Sequence, residues 1–288
     1  MKNLRTVAQV IDGAEKTVGG VFKISSPMPG SRIRQLSPFL LIDHSGPSVI
    51  EPTEQILGGE AHPHRGFETV TLVYQGYLDH RDTGGHAGSL APFDVQWMTA
   101  GSGLLHEEKF GREFTRNGGT IELIQLWVNL PKKDKMVQPR YQELQKDSIP
   151  VISEDNGKVK LRIIAGAYGD VKGPALTYSP INLWDIELAK GTEKQLTIPK
   201  DDNLGIYVVR GDVTINNRKA LTKQLVNFGW DNELIKISAE EDSLLLILSG
   251  EPIEEPLATY GPYVMNTNRE LVQALEDFGN GKFGSFSE

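Results

Sequence analysis

The sequence lacks cysteine altogether, and its 288 residues contain no long apolar run. Without cysteine there is no disulfide, no thiolate metal ligand and no cysteine nucleophile, so a metal site has to be built from histidine and carboxylate side chains. The longest apolar run, residues 244–248, has five residues, whereas a membrane-spanning helix needs about 20. We therefore expect no membrane segment.

A surplus of positive charge is also missing. The chain has 38 acidic and 30 basic residues, a formal net charge of −8, and its Lys and Arg residues are scattered apart from a cluster at residues 132–135. This distribution argues against a basic face for phosphate backbones, so we expect no direct binding to nucleic acid. Residues 1–10 alternate polar and apolar types and lack the apolar core of a signal peptide, so we expect a cytoplasmic protein.

Short strand-like runs between turn signals dominate the chain and predict an all-β protein. Helical periodicity is clear only over residues 268–278, where Leu271, Leu275 and Phe278 share one face. The predicted strands are residues 39–43, 69–74, 94–99, 121–128, 161–165, 181–188, 205–209 and 244–248.

A polar stretch with two prolines at residues 131–145 is typical of a linker between two β domains. We place the boundary there, which gives domains at residues 1–136 and 137–288. A weak internal repeat agrees with two similar halves, because apolar residues surround a turn glycine at Gly76 and again 135 residues later at Gly211.

Histidine is confined to the first 106 residues of the chain. His62 and His64 have the i, i+2 spacing that puts both side chains on one face of a strand, and Glu68 has the same parity. After a glycine-rich bend, His106 and Glu108 form a second i, i+2 pair. Three imidazoles and one carboxylate can therefore converge, a ligand set that Fe, Ni, Cu and Zn accept.

Each of these residues also has a simpler interpretation. A His-x-His pair on a strand is more often a surface pair or a half-buried histidine, and the glutamates can be merely solvated. His80 and His86 border a glycine-rich segment that is typical of an exposed hairpin loop, and a capping or core role is favoured for His44. The second i, i+2 pair is what favours a metal site.

Several motifs, in order along the chain, resemble the pirin family of the cupin superfamily. They are HPHRGFETV at residues 62–70, QWMTAGSG at residues 96–103 with the histidine and glutamate that follow, GEPI at residues 250–253 and GPYVMNT at residues 261–267. The resemblance covers nearly the whole chain. It implies a bicupin, two tandem antiparallel β-barrels of the jelly-roll type with a short C-terminal helix.

The resemblance also implies one mononuclear divalent metal in the N-terminal barrel. Fe(II) is the preferred ion, with Ni, Cu, Zn, Mn or Co as alternatives. Glu68 matches a ligand position that cupins in general use but pirins do not, so we expect it outside the ligand set. The ligands that carry over from the family are His62, His64, His106 and Glu108.

The C-terminal barrel is expected to be free of metal. No histidine follows His106, and the 135-residue offset places Thr197 and Pro199 where His62 and His64 stand in the first half. Neither is a metal ligand of useful strength.

The family resemblance implies a metal-dependent dioxygenase of the quercetin 2,3-dioxygenase type, an oxidoreductase that cleaves a flavonol with O2 and releases CO. Glu108 would then be both ligand and catalytic base, with Phe67, Trp97 and Met98 as candidate pocket walls, although such residues are more often core. The alternative is an iron-containing regulatory protein that binds protein partners, as a transcriptional cofactor or a regulator of a metabolic enzyme. The acidic charge balance leaves such a partner open.

Overall fold

The structure is a computed structural model that describes residues 3–18, 22–28 and 36–286. These residues form two compact units. The histidine unit holds all six histidines and comprises the described residues of Glu15–Ile24, Leu41–Lys146 and Ile253–Glu288. The histidine-free unit comprises those of Met1–Ala14, Ser25–Leu40 and Asp147–Pro252.

Strands make up most of the regular structure. In the first half of the chain they are β1 (Val7–Asp12), β2 (Ala14–Val18), β3 (Phe22–Ser26), β4 (Phe39–Ile50), β5 (His62–His64), β6 (Phe67–Gln75), β7 (Leu78–Asp82), β8 (Ala87–Leu90), β9 (Val95–Thr99), β10 (Leu104–Phe110), β11 (Gly119–Asn129) and β12 (Arg140–Leu144). One short helix, α1 (Arg112–Asn117), lies between β10 and β11.

The second half continues in the same way. Its strands are β13 (Val151–Glu154), β14 (Val159–Ala165), β15 (Ala167–Tyr168), β16 (Val171–Lys172), β17 (Ile181–Leu188), β18 (Glu193–Thr197), β19 (Asn203–Arg210), β20 (Val213–Ile215), β21 (Arg218–Ala220), β22 (Gln224–Phe228), β23 (Leu234–Ala239), β24 (Ser243–Gly250), β25 (Ala258–Tyr260) and β26 (Tyr263–Met265). The chain then forms helix α2 (Asn268–Gly279).

Two antiparallel sheets account for most of the histidine unit. One has seven strands in the order β12-β9-β6-β11-β4-β3-β2, and the other has four in the order β5-β10-β7-β8. Strand β10 alternates buried and less buried residues, so His106 and Glu108 share a face with Leu104 and Phe110. Because β10 lies between β5 and β7, this face has cross-strand neighbours on both sides.

The histidine-free unit repeats this plan with the sheets β1-β22-β19-β24-β17-β14-β13 and β18-β23-β20-β21. Strand β18 pairs with β23 as β5 pairs with β10, but the buried residues of β23 are Ile235, Ile237 and Ala239, which belong to a large apolar core. The interior that holds histidines in one unit is thus filled by aliphatic side chains in the other. Absence of metal from this unit remains a prediction, which that packing favours.

The structure supports the internal repeat at its turn glycines. Gly76 joins β6 to β7 with a φ of +80°, and Gly211 joins β19 to β20 with a φ of +81°. Both turns need a backbone conformation that glycine adopts without the steric cost of a side chain.

The predicted fold class is confirmed: the described residues are mostly β, with two α-helices and three single-turn 3-10 helices, and all eight predicted strands are present. Helix α2 is also confirmed and begins with a capping box in which the Thr267 hydroxyl and the Glu270 side chain bond each other's backbone N–H groups. The predicted apolar face was partly wrong, because Leu271 is buried but Leu275 and Phe278 are 42% and 40% exposed. Helix α1 was not predicted.

The units do not follow the single boundary between residues 136 and 137. The chain changes unit at Lys146 and Asp147, because β12 lies in the polar stretch predicted as a linker and pairs with β9. Residues before Glu15 group with the histidine-free unit, and residues after Pro252 group with the histidine unit. The boundary between residues 136 and 137 remains a prediction. Among the helices in the described part of the chain, none is long and apolar enough to cross a membrane.

Candidate metal centre

Three histidines converge on the buried face of the four-stranded sheet. His62 and His64 lie on β5, and His106 lies directly opposite His62 on β10. The Nε2 atoms of His62 and His106 are 3.0 Å apart, and one ring nitrogen from each of the three histidines lies within 4.8 Å of the others. The convergence predicted from the spacing is therefore present for the imidazoles.

The hydrogen bonds of these rings leave nitrogen lone pairs available. The Nδ1 atoms of His62 and His64 face backbone carbonyls of Glu60, at 2.8 Å, and Pro262, at 3.4 Å, so each Nδ1 carries the proton and donates it. The Nε2 atom of His64 is buried and has no hydrogen-bond partner among the described residues. Burial lowers the pKa of His64 to about 3 and also lowers that of His106, which keeps both imidazoles neutral.

Neutral imidazoles with one nitrogen bound to a carbonyl and the other unpaired are typical of transition-metal ligands. Two nitrogens in neighbouring octahedral positions, each about 2.05 Å from an ion, would lie about 2.9 Å apart. The 3.0 Å separation of His62 and His106 matches that value. The donor set therefore fits a divalent transition metal.

Glu108 lies two residues beyond His106 on the same face of β10. Its Oε1 accepts hydrogen bonds from the Thr71 hydroxyl at 3.0 Å and from the Gln96 amide, and its Oε2 accepts one from the Gln125 amide at 2.8 Å. The structure groups Glu108 with His106 and His80 within 4.8 Å, not with the three-histidine group. His106 is common to both groups.

His80 corrects the prediction that it borders an exposed hairpin loop. It is 3% exposed and lies on β7, opposite Glu108. Its Nε2 is 3.3 Å from Asp82, whose carboxylate also contacts His86, and its ring stacks on Tyr141. Leu78, His80 and Asp82 are buried and alternate with more exposed residues, as expected for a strand with one buried face. The exposed part of the turn is limited to residues after Asp82.

The pKa of Asp82 lies below its usual value. Burial raises it, but the hydrogen bonds from His80 and His86 together outweigh that effect. A charged Asp82 orients the His80 ring through Nε2, while the Nδ1 of His80 is buried and has no hydrogen-bond partner among the described residues. His80 is thus a second histidine environment beside His106 that spacing alone did not identify.

A pocket of about 100 Å³ opens beside the site. His62, Glu108 and Gln125 form its polar side, together with other polar groups from β4, and apolar side chains form the rest. The predicted wall residues Phe67, Trp97 and Met98 are fully buried and do not line it. The apolar wall is formed by Val18, Phe22, Ile24, Leu78 and Leu123.

Glu68 lies apart from both groups of candidate ligands. Glu68 was expected to share a strand face with His64. It does not lie on the same strand, because β5 ends at His64 and Gly66, with a φ of +84°, turns the chain before β6. The Glu68 carboxylate instead accepts a 2.7 Å hydrogen bond from the Thr99 hydroxyl and lies 3.9 Å from Arg140. Burial raises the pKa of Glu68 to about 7 despite these contacts. Its exclusion from the ligand set remains a prediction that this placement supports.

Glu68→Gln is expected to change the pH dependence of stability. The folded-state pKa is raised to about 7 from 4.5, so the stability contributed by the protonated carboxyl is complete below pH 4.5 and is lost as the pH rises to about 7. The variant should therefore gain about 3 kcal/mol relative to wild type between pH 4 and pH 8.5. Urea unfolding at both pH values, in the presence of EDTA, measures this change. A difference that does not vary with pH would contradict the assignment, and Glu15→Gln on an exposed strand is the control.

Models of one protein family match both halves of the chain. A model of the pirin family matches residues 21–128, and a model described as the pirin C-terminal cupin domain matches residues 183–284. Human pirin is 35% identical over 295 residues, covering 99% of this chain and 96% of its own.

Two further relatives carry an activity in their names. A Pseudomonas aeruginosa protein, provisionally named a quercetin 2,3-dioxygenase, is 45% identical over 267 residues and covers 92% of this chain and 93% of its own. The crystal structure of quercetin 2,3-dioxygenase from Acinetobacter baumannii superposes with a TM-score of 0.95 at 41% identity, covering 99% of this chain and 100% of that one.

Proposed function

The chain belongs to the pirin family, and we propose that it is a metal-dependent dioxygenase of the quercetin 2,3-dioxygenase type, which cleaves a flavonol with O2 and releases CO. The observation that carries the proposal is a group of three convergent histidines next to a carboxylate, with His62 and Glu108 on the wall of one pocket. Relatives at 45% and 41% identity that are named for this activity support it.

We assign one divalent metal ion to His62, His64, His106 and Glu108. Fe(II) remains the preferred ion, with Ni, Cu, Zn, Mn or Co as alternatives that the same nitrogen and oxygen ligands accept. When bound, such an ion supplies Lewis-acid and redox chemistry toward a phenol and O2. The protein holds two of the histidines through the carbonyls of Glu60 and Pro262, so their rings present the same nitrogen to the site.

Glu108 is the proposed base for a flavonol hydroxyl. A carboxylate has about four acceptor positions, of which Thr71, Gln96 and Gln125 occupy three and leave one on Oε2. The Gln96 amide is oriented by the Tyr141 hydroxyl, which donates to its carbonyl at 3.3 Å. These contacts hold the carboxylate in place, and its one open position would serve the metal and the substrate proton in turn.

The pocket limits how much of the substrate can enter. Pockets that enclose drug-sized ligands have volumes of about 300–1,000 Å³, whereas this one has about 100 Å³. We therefore infer that a flavonol inserts the ring that carries the reacting hydroxyl and leaves its other two rings toward the mouth. Phe22 and Leu123 would contact the faces of the inserted ring, and Gln125 and Glu108 would contact its oxygens.

The proposal is tested by incubating metal-loaded protein with quercetin under air. We expect loss of the flavonol absorbance together with release of one CO for each O2 consumed, because ring cleavage removes one carbon and inserts both oxygen atoms. The reaction should be lost on removal of metal and restored by Fe(II) or another ion of the set. Metal-loaded protein that neither consumes O2 nor bleaches quercetin would overturn the proposal and favour the regulatory alternative.

A further inference from the structure

The last part of the chain contacts the strand that carries His64. We call residues 258–284, which include β25, β26 and α2, the terminal clasp. Arg65, the neighbour of His64, is only 4% exposed and donates from Nη1 to the Asp277 carboxylate of α2 at 2.8 Å. Its guanidinium also lies 4.7 Å from the centre of the Phe283 ring. A buried arginine adjacent to a candidate ligand is thus held from two sides by the clasp.

The backbone of the clasp also contacts this strand. The Val264 N–H donates to the Arg65 carbonyl at 3.0 Å, and the Pro262 carbonyl faces the Nδ1 of His64 at 3.4 Å. The contact with Pro262 fixes which nitrogen of His64 carries the proton and therefore which one is presented to the metal. His64 thus depends on the clasp for the orientation of its ring.

The second ligand strand is tied to the same segment. Arg65 donates from Nε to the Ser102 carbonyl at 2.7 Å, just before β10 begins. The Thr83 hydroxyl donates to the Phe283 carbonyl at 2.5 Å and accepts from the Leu105 N–H at 3.0 Å, next to His106. The clasp therefore links β5 and β10, the two strands whose separation sets the distance between the candidate ligands.

A buried lysine reinforces this junction. Lys135 is 1% exposed, and its Nζ donates to the carbonyls of Gly66 and Val264 at 2.7 and 2.9 Å and to the Asn129 side chain at 2.8 Å. It thereby binds the turn after His64 and the clasp at one point. Burying the amino group of a lysine costs free energy unless its N–H donors are hydrogen-bonded, and here three oxygens accept hydrogen bonds from Nζ.

We propose that the terminal clasp is a positioning element of the metal site and that the Arg65–Asp277 contact sets how tightly the metal is held. Asp277 touches neither the ion nor the substrate and acts through Arg65 and His64. The inference rests on the proposed metal ligands but not on flavonol chemistry. The clasp belongs to the histidine unit, although its sequence lies within the range that the model of the C-terminal cupin domain matches.

The test measures the rate at which metal leaves the protein. Asp277→Asn keeps the size of the side chain but removes its charge, and we expect Ni(II) or Zn(II) to dissociate into excess chelator about 10 to 100 times faster than from wild type. This corresponds, at an unchanged association rate, to the roughly 10- to 100-fold loss of affinity that is typical for outer-shell partners. Asp277→Glu should restore most of the wild-type rate. Lys282→Gln is the control, because Lys282 is an exposed partner of Asp277 that contacts the other carboxylate oxygen from the one that binds Arg65.

A second measurement distinguishes positioning from general stability. The visible spectrum of the Co(II)-loaded protein reports ligand geometry, and it should change in Asp277→Asn but not in Lys282→Gln. If Asp277→Asn does not fold, Arg65→Lys serves instead, since it retains the charge but replaces the two guanidinium nitrogens that contact Ser102 and Asp277 by a single nitrogen, and it should also raise the dissociation rate.

Unchanged dissociation and an unchanged Co(II) spectrum in a folded variant would overturn the inference, even if thermal stability falls. Wild-type protein that binds no metal would overturn both the ligand assignment and the inference. Wild type that binds metal but does not cleave quercetin would overturn only the proposed function, since every readout of the clasp is made without substrate.

Discussion

Glu108→Gln is expected to lower quercetin turnover under air by about 100- to 10,000-fold, the range for loss of a general base. Glutamine has nearly the same shape and keeps one oxygen, but it cannot take up the substrate proton. Its amide nitrogen would also face one of the donors that now bind the carboxylate, from Gln96 or Gln125, so that one contact becomes donor against donor.

The measurement is the initial rate of flavonol loss and O2 consumption, divided by the metal content of the same sample. Glu107→Gln is the matched control, since Glu107 is the next residue on β10, pairs with Arg81 on the other face and lies outside the pocket beside His62. It should retain wild-type turnover. A Glu108→Gln protein with wild-type metal content and full turnover would remove the base from the mechanism and leave Glu108 only a structural role.

The double substitution His62→Ala/His64→Ala is expected to reduce bound metal from one equivalent per chain to nearly none. Structural zinc sites bind with on the order of 10–16 kcal/mol, so losing two of four ligands should cost several kcal/mol. A loss of about 5 kcal/mol weakens binding by about 1,000-fold or more. Turnover should disappear with the metal. Elemental analysis after dialysis against a weak chelator measures the loss.

His86→Ala is the control for this experiment, because it removes a histidine of the same unit whose side chain is 38% exposed and contacts Asp82 rather than the candidate ligands. Two equivalents of metal in wild type would contradict the prediction that the histidine-free unit binds none. Full metal content in the double variant would indicate that the ion binds to His80, His106 and Glu108 instead. Adding His80→Ala to the double variant would then test that site.

The assignment of residues to one face of a strand was predictable from the sequence. Side chains two apart on a strand share a face, so the pairs His62 with His64 and His106 with Glu108 could be assigned to common faces before the fold was known. The pattern could not show which strands become neighbours. The meeting of His62 with His106 depends on β5 pairing with β10 across more than 40 residues, which only the family resemblance supplied.

Other features were missed for the same reason. The burial of His80 follows from β7 pairing with β10, whereas the glycines of the following turn led to the prediction of an exposed loop. The position of Glu68 depends on a turn at Gly66, after which even spacing no longer places residues on one strand face. The contact of Arg65 with Asp277 joins residues more than 200 positions apart, and no local pattern indicates such a pairing.

The exchange of terminal segments between the two units has a consequence for biosynthesis. Domains generally fold as units once their residues have been made, starting from the N terminus. Here the ligands at residues 62–108 are translated before residues 147–252 of the histidine-free unit, whereas the segment after Pro252, which also belongs to the histidine unit, follows only after them. A nascent chain therefore carries unfinished ligand strands for most of its synthesis, and a translation product ending before residue 258 would be released without the contacts that orient His64.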